Sequence, residues 1–409
     1  MSKYKILVLP SDKFGVGYFR SLAPHLYLDE HYNDDFEVDI DYNPNLDNLS
    51  EFDQYQMVHF HKRIGYNAEK GFKALEYLKS KGIKTVIDID DYWDLGQYHP
   101  AREIHAREGV KDITLKYIKM ADYVTTTTPL FANEIKKHNK NVFVIPNAIN
   151  PEEKQFIPQP TKSDRLRFGI ICGSSHEHDI ALLEGLTNQL PQDILNKIQI
   201  VLCGFDLRGT IEIYNVDTKE LTKRPILPQE SVWYKYEKTL TDNYKIVSDD
   251  YEKFLKKFIV DVDYPNADNE PYRRCWTKPI NEYATHYNNI DVLLVPLKEC
   301  PFNKVKSQLK VIEAGFFNKA IIAQNYGPYT LDLVPMIERG GKINESGNSL
   351  LVESSKNYKQ WAKYIERLVK NPEMVTALQQ NLHDTVKDKY SLETVTKLRA
   401  DIYSNILKS

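Results

Sequence analysis

The feature that most constrains this chain is an alternation of short apolar runs with amphipathic stretches, and it occurs twice. YKILVLP, FEVDIDY, YQMVHFH, KTVIDID, DYVTTTT and NVFVIP read as strands, with helical patterns such as YFRSLAPHLYLDEH, AEKGFKALEYLKSKG and PLFANEIKKHN between them. Strands that alternate with helices predict a parallel sheet covered on both faces. The polar stretch NAINPEEKQFIPQPTKSDR, with Pro151, Pro158 and Pro160, then breaks the rhythm and reads as a linker. The pattern restarts with LRFGIICGSS, a helix over DIALLEGLTNQL, and the strand runs IQIVLCGFD, IDVLLVPL, KAIIAQ and NSLLVES. A chain of 409 residues exceeds one ordinary core. The expected fold class is therefore α/β, with two doubly wound, Rossmann-like domains. The predicted boundaries are 1–150 for the first domain, 151–164 for the linker and 165–385 for the second domain. An aromatic, charge-rich insertion is expected at about 206–287, and a final helical segment at 386–409.

Composition narrows the function classes. Hydrophobic content of 42% and charged content of 27% suit a globular protein, and no run of about 18 apolar residues could span a membrane. The N-terminal MSKYKILVLPSDKFG passes straight into a strand pattern and is not expected to be a signal peptide. The formal net charge of −3 argues against a dedicated nucleic-acid binder. Cys172, Cys203, Cys275 and Cys300 show no metal-ligand spacing and read as core thiols of a cytoplasmic protein. Between Lys62 and Lys84 seven Lys and Arg stand against two Glu. Phe72, Leu75 and Leu78 mark a core face there, leaving the lysines to solvent or, as a second reading, to peripheral contact with an anionic membrane.

The chemistry concentrates in FNKVKSQLKVIEAGFFNKAIIAQNYGPY, Phe302 to Tyr329. Leu309, Ile312, Phe316 and Phe317 recur at helical spacing, and Ser307 is expected to cap that helix. A helix start directs N–H groups and positive dipole outward, and Lys304, Lys306 and Lys310 add mobile charge, a combination suited to a phosphate leaving group. AIIA and NYGPY then read as a buried strand and its turn. This order resembles the donor half of GT-B glycosyltransferases, and is closest to the group 1 retaining type of capsule and surface-polysaccharide synthesis. VIPNAIN resembles that family's hinge segment, with Ala148 where glycine is usual. The resemblance implies two domains facing each other across a cleft, C-terminal helices that cross back to the N-terminal domain, and a nucleotide-sugar donor held by the second domain. Glu313 resembles the family's second motif glutamate, which holds the ribose hydroxyls; the position of the first is Val305, with Glu299 an uncertain substitute. Tyr326 and Gly327 would contribute turn donors.

Three further constellations fall at strand ends. Gly15, Gly17 and Arg20 in SDKFGVGYFR resemble the loop that faces the donor phosphate; a dinucleotide fingerprint fails there because Arg20 replaces the third glycine. Asp88, Asp90 and Asp91 in DIDDYWD read as acceptor-side contacts, with Asp91 as proton acceptor; a metal-binding Asp-x-Asp pair is the other reading, and a solvated turn a third. Gly173, Ser174 and His176 in GSSHEHD form a second anion loop, with His176 expected to hydrogen-bond the donor; His176 and His178 alone make a poor zinc site. Lys306, His176 and Asp91 are the expected catalytic residues, and no metal or other cofactor is expected. The expected function is transfer of a sugar from a nucleoside diphosphate to a glycan or lipid-linked acceptor. A nucleic-acid-modifying glycosyltransferase of phage type and a non-catalytic nucleotide-sugar-binding protein are the alternatives.

Overall fold

A computed structural model of the chain describes residues 3–97, 99–214, 221–247, 270–338, 340–353 and 358–409. The first sheet comprises β1 (Tyr4–Leu9), β2 (Phe36–Ile40), β3 (Met57–His61), β4 (Lys84–Ile89), β5 (Tyr123–Thr126) and β6 (Val142–Val144). Its order is β2-β1-β3-β4-β5-β6, and every pairing is parallel. The second contains β7 (Leu166–Ile171), β8 (Ile198–Phe205), β11 (Tyr272–Trp276), β12 (Val292–Val295), β13 (Ala320–Gln324) and β14 (Leu350–Val352), in the order β11-β8-β7-β12-β13-β14. β9 (Thr210–Tyr214) and β10 (Leu221–Pro225) form a separate antiparallel hairpin. The longer helices include α1 (Ala68–Ser80), α2 (Val232–Leu240), α3 (Leu309–Phe316), α4 (Pro372–Val386) and α5 (Leu392–Lys408). Strands such as MVHFH and AIIAQ are buried along their whole length because helices cover both sheet faces.

The last helix returns to the first domain. Val395, Ala400, Ile402, Tyr403 and Ile406 of α5 join Ile6, Val8, Leu28, Phe36, Met57 and Val86 in one apolar cluster. The crossing is fixed at Ile149, whose N–H donates to Tyr390 O and whose carbonyl accepts from Leu392 N. Apolar burial of this extent ties the chain's end to its beginning more firmly than the linker alone could.

Two expectations change. Part of the segment expected as an insertion is the second sheet's own edge, since β11 pairs in parallel with β8 and α2 packs Trp233, Tyr236 and Leu240 into the core. YRRCW hides this strand because Arg274 looks incompatible with burial. Its guanidinium is neutralised by Glu237 of α2, at 2.6 Å and 2.7 Å, and Tyr272 donates to the same carboxylate. Residues 215–220 and 248–269 of the segment lie outside the described residues. The second change concerns the helix expected after GSSH. It is only four residues long, Glu177–Ile180, and the chain then passes through short 3-10 turns with Gly185 at φ +80°.

Candidate active site

Open α/β sheets place their sites beyond the carboxyl ends of strands, where the strand order reverses. Here those points lie between β1 and β3 and between β7 and β12. The two points face each other. Val305 of the second domain belongs to an apolar cluster of the first, and the Phe302 ring meets His99 edge-on at 5.2 Å. A Cβ on Gly15 would lie 3.7 Å from Ile280 of the opposite domain.

On the second-domain side, Lys306, Lys310, His176, Cys172, Asp179 and Tyr329 line one cavity of about 40 Å³, room for a water or two. Lys306 rests its ammonium 5.0 Å from the Phe302 ring centroid and makes no ion pair among the described residues. His176 Nδ1–H donates to Asp179 Oδ2 at 2.8 Å, and its backbone N–H donates to the Tyr236 hydroxyl at 2.9 Å. Burial pushes the imidazole below its usual range; the Asp179 hydrogen bond opposes this and Lys306 reinforces it. A neutral ring therefore presents Nε2 as an acceptor. Asp179 Oδ1 also accepts from Lys298 N and Asn303 Nδ2, tying the histidine loop to the segment that precedes α3. The Tyr236 hydroxyl donates to Ser174 O at 3.0 Å and so braces the Gly173–Ser174 loop.

Gln308, not Ser307, occupies the N-cap of α3, and no side chain caps that first turn. Ser307 stands outside the helix because the chain enters it one residue later than the polar run suggested. Lys304 is exposed on the preceding turn. Gly327 adopts φ +58°, and a Cβ there would lie 2.9 Å from Asn303 O, so only glycine brings that loop so close. The Tyr326 hydroxyl donates to Cys300 O at 3.0 Å.

Glu313 is placed differently from its expected ribose-holding position. Its carboxylate is fully buried, accepting from the hydroxyls of Tyr283 and Tyr287, the latter at 2.7 Å, while Lys310 Nζ lies 3.2 Å away. Two phenols occupy the acceptor positions that vicinal sugar hydroxyls would need. A ribose reaches this carboxylate only if a tyrosine gives way.

The first-domain side also redistributes the expected roles. Arg20 is not open to a donor anion, because its guanidinium is buried and clamps Asp88 at 2.9 Å and 2.7 Å, with Ile145 O and Asn147 Oδ1 accepting from its Nη1. Asp88 is equally buried and is no acceptor-side contact. Burial alone would raise its pKa, but the charge and hydrogen bonds of Arg20 hold it at about 2. The Gly15–Gly17 turn already holds an internal anion: Asp12 Oδ1 accepts from Phe14 N at 2.8 Å and Gly17 N at 3.2 Å. A Cβ on Gly17 would lie 2.0 Å from Asp12 O, which explains the glycine.

Asp90 and Asp91 do reach the cleft side, with partners the sequence reading did not name. His61 Nε2–H donates to Asp90 at 2.9 Å, and His61 Nδ1 lies 2.6 Å from Ser11 Oγ. Lys62 Nζ bridges Asp90 at 3.0 Å and Asp91 at 3.1 Å. Lys62 sits at φ +64°, a left-handed conformation disfavoured for lysine, so the two ion pairs hold a strained residue in place. Burial works against charge on Asp90, while Lys62 and His61 hold it well below the usual carboxylate range. Ser11, His61 and Lys62 were discoverable: each follows or ends an apolar strand run, the position where such sheets carry chemistry.

No family model and no curated protein matches the sequence. Solved structures do match over the whole chain. Sucrose-phosphate synthase from Thermosynechococcus elongatus is similar at 14% identity with a TM-score of 0.62, covering 99% of this chain and 100% of that one. The chain has the GT-B fold. HepE of Anabaena, solved in complex with UDP, is similar at 12% identity and TM-score 0.56, covering 99% and 100%. The catalytic domain of starch synthase IV from Arabidopsis thaliana, bound to ADP and acarbose, is similar at 10% identity and TM-score 0.58, covering 100% of both chains. Identities this low leave substrate questions to the site itself. No helix among the described residues is long and apolar enough to cross a membrane.

Proposed function

We propose that this protein is a retaining glycosyltransferase that moves a sugar from a nucleoside-diphosphate donor to a glycan or lipid-linked glycan of a surface polysaccharide. The observation that carries the reading is Lys306, a half-buried ammonium that makes no ion pair among the described residues, beside Lys310, His176 and the uncapped start of α3. An ammonium free of a direct ion pair at a strand-order switch point is suited to an anionic ligand. The similar proteins solved with UDP and with ADP support a nucleotide as that ligand.

In the proposed reaction the bond between the anomeric carbon and the diphosphate oxygen breaks, and the electron pair leaves with the diphosphate. Lys306 meets the charge that accumulates there, with Lys310 and the α3 N–H groups around it, so no divalent cation is required. His176, held by Asp179, accepts a hydrogen bond from the donor sugar. The acceptor hydroxyl approaches from the first domain on the face the diphosphate leaves, its oxygen bonds to the anomeric carbon with retention, and Asp91, positioned by Lys62, takes its proton. Closure of the two domains expels water from the site.

The test is a nucleotide-sugar panel read by thermal shift, followed by donor turnover without added Mg²⁺ or Mn²⁺. A ligand at a hundred times its Kd stabilises by about 2.7 kcal/mol, which a melting curve resolves. Stabilisation by one nucleotide sugar with metal-independent turnover is expected. Stabilisation without turnover, with every acceptor class tried, would make this a binding protein; absolute dependence on Mn²⁺ would return the aspartates to a metal role.

A further inference from the structure

The geometry points to a zinc site in the core of the second domain, formed by Cys203, Cys275 and His286. Cys203 on β8 and Cys275 on β11 are direct neighbours in the parallel register. His286 comes from the 3-10 segment Tyr283–Asn289, which packs on the same sheet face. The two sulfurs and a ring nitrogen all lie within 4.8 Å of one another, and no residue of the three is more than 2% exposed.

His286 makes the cluster more than two core thiols. Neither of its ring nitrogens has a hydrogen-bond partner among the described residues, although both are buried. Buried polar groups are nearly always satisfied, and an orphaned imidazole needs an explanation. His59 in the first domain shares the deficit, but it packs among the rings of His25 and Tyr403. His286 instead faces two sulfurs, and thiolate with imidazole is a donor set that selects zinc over magnesium, calcium or manganese.

Charge favours the same ion. Two thiolates, a neutral imidazole and a divalent cation sum to zero, which an apolar core tolerates, and loading would release the two thiol protons. Tetrahedral zinc with ordinary Zn–S and Zn–N bonds needs its ligand atoms about 3.5–3.8 Å apart. The cluster therefore has to tighten by about 1 Å at its widest, which a short 3-10 segment can accommodate. Three protein ligands leave the fourth position to a water or a backbone oxygen.

The site would act as a staple. The segment that carries His286 also carries Tyr283 and Tyr287, which hold Glu313, and Glu313 pairs with Lys310 in the cleft. Zinc binding would therefore fix the support of a cleft lysine without touching any substrate. The inference is independent of the proposed transferase activity, because metal content is measured with no donor present.

The full chain should be purified, exchanged against a chelator under mild reduction, reloaded with Zn²⁺, desalted and assayed for metal. About one zinc per chain is expected, with Co²⁺ in its place giving a thiolate-to-cobalt charge-transfer band. Cys203→Ser and Cys275→Ser should each abolish the band, and Cys300→Ser should retain it. His286→Gln guards against misfolding: it should keep the wild-type circular dichroism and lose the rise in Tm that Zn²⁺ gives the wild type. A folded wild-type protein that retains no zinc after loading, or a Cys275→Ser protein that retains it fully, would overturn the assignment.

Discussion

Replacing Lys306 by alanine removes a cleft ammonium that has no ion pair among the described residues. Two unit charges about 4 Å apart at an effective dielectric near 20 interact by about 4 kcal/mol. The donor diphosphate is already charged in the ground state, so only the increment that develops as the sugar departs affects turnover. Taking that increment as roughly two-thirds gives about 2.7 kcal/mol, or about a hundredfold in kcat, the scale seen when one preorganised donor is lost. Lys310 cannot take over fully because it is committed to Glu313 at 3.2 Å. KM should rise less than kcat falls, since backbone N–H groups of α3 hold the ground-state phosphate equally well in the variant. Lys306→Arg should restore only part of the rate, because a planar fork replaces a compact charge. The assay is steady-state release of nucleoside diphosphate, with Lys304→Ala as the exposed neighbour control. Wild-type kcat in a folded Lys306→Ala protein would refute the reasoning, and the site would have to be sought elsewhere in the cleft.

The remaining predictions concern the scaffold of the two domains. His59, driven to about 3 mainly by burial, and His25, also driven down first by burial, are neutral in the folded protein but titrate near 6.5 when unfolded. Between those values the unfolded chain binds more protons, so stability should fall as pH drops below about 6.5, by up to about 1.4 kcal/mol per pH unit per histidine. Urea melts from pH 7.5 to 4.5 would show this, and a slope unaltered in His59→Phe would contradict it. Arg20→Ala strands a buried carboxylate at Asp88 and should cost about 3–5 kcal/mol of stability by chemical denaturation; a loss of donor affinity with full stability would mean that Arg20 does face the ligand. Glu313→Gln should lower stability by about 1–3 kcal/mol through its two tyrosines. If it instead abolished discrimination between a nucleotide and its 2′,3′-dideoxy form while leaving stability intact, the glutamate would hold the ribose after all.

The elements that were legible share one property: their partners are generic. Runs such as MVHFH and AIIAQ read as strands because both faces meet apolar helices, whichever helices those are. The same holds for α3, whose apolar stripe needs only a core to face. The strand YRRCW was not legible, because whether Arg274 can be buried depends on Glu237, 37 residues earlier. The site divides along the same line. That His176 lies in the loop after a strand, Lys306 just before a helix and Lys310 in that helix's first turn follows from local pattern, and the two-domain α/β class follows from the repeated alternation. That Arg20 would be consumed by Asp88, that Glu313 would be enclosed by Tyr283 and Tyr287, and that His61 would join Ser11 to Asp90 are consequences of tertiary packing. The same is true of Cys203, Cys275 and His286, whose spacing along the chain carries no ligand signature and whose meeting depends on β11 lying beside β8. Local sequence determines which segments are strands and helices because backbone preference and apolar period act over a few residues. Which charged and polar side chains are left for a ligand is decided only by tertiary structure, because a buried charge must find its partner wherever the fold brings one within reach.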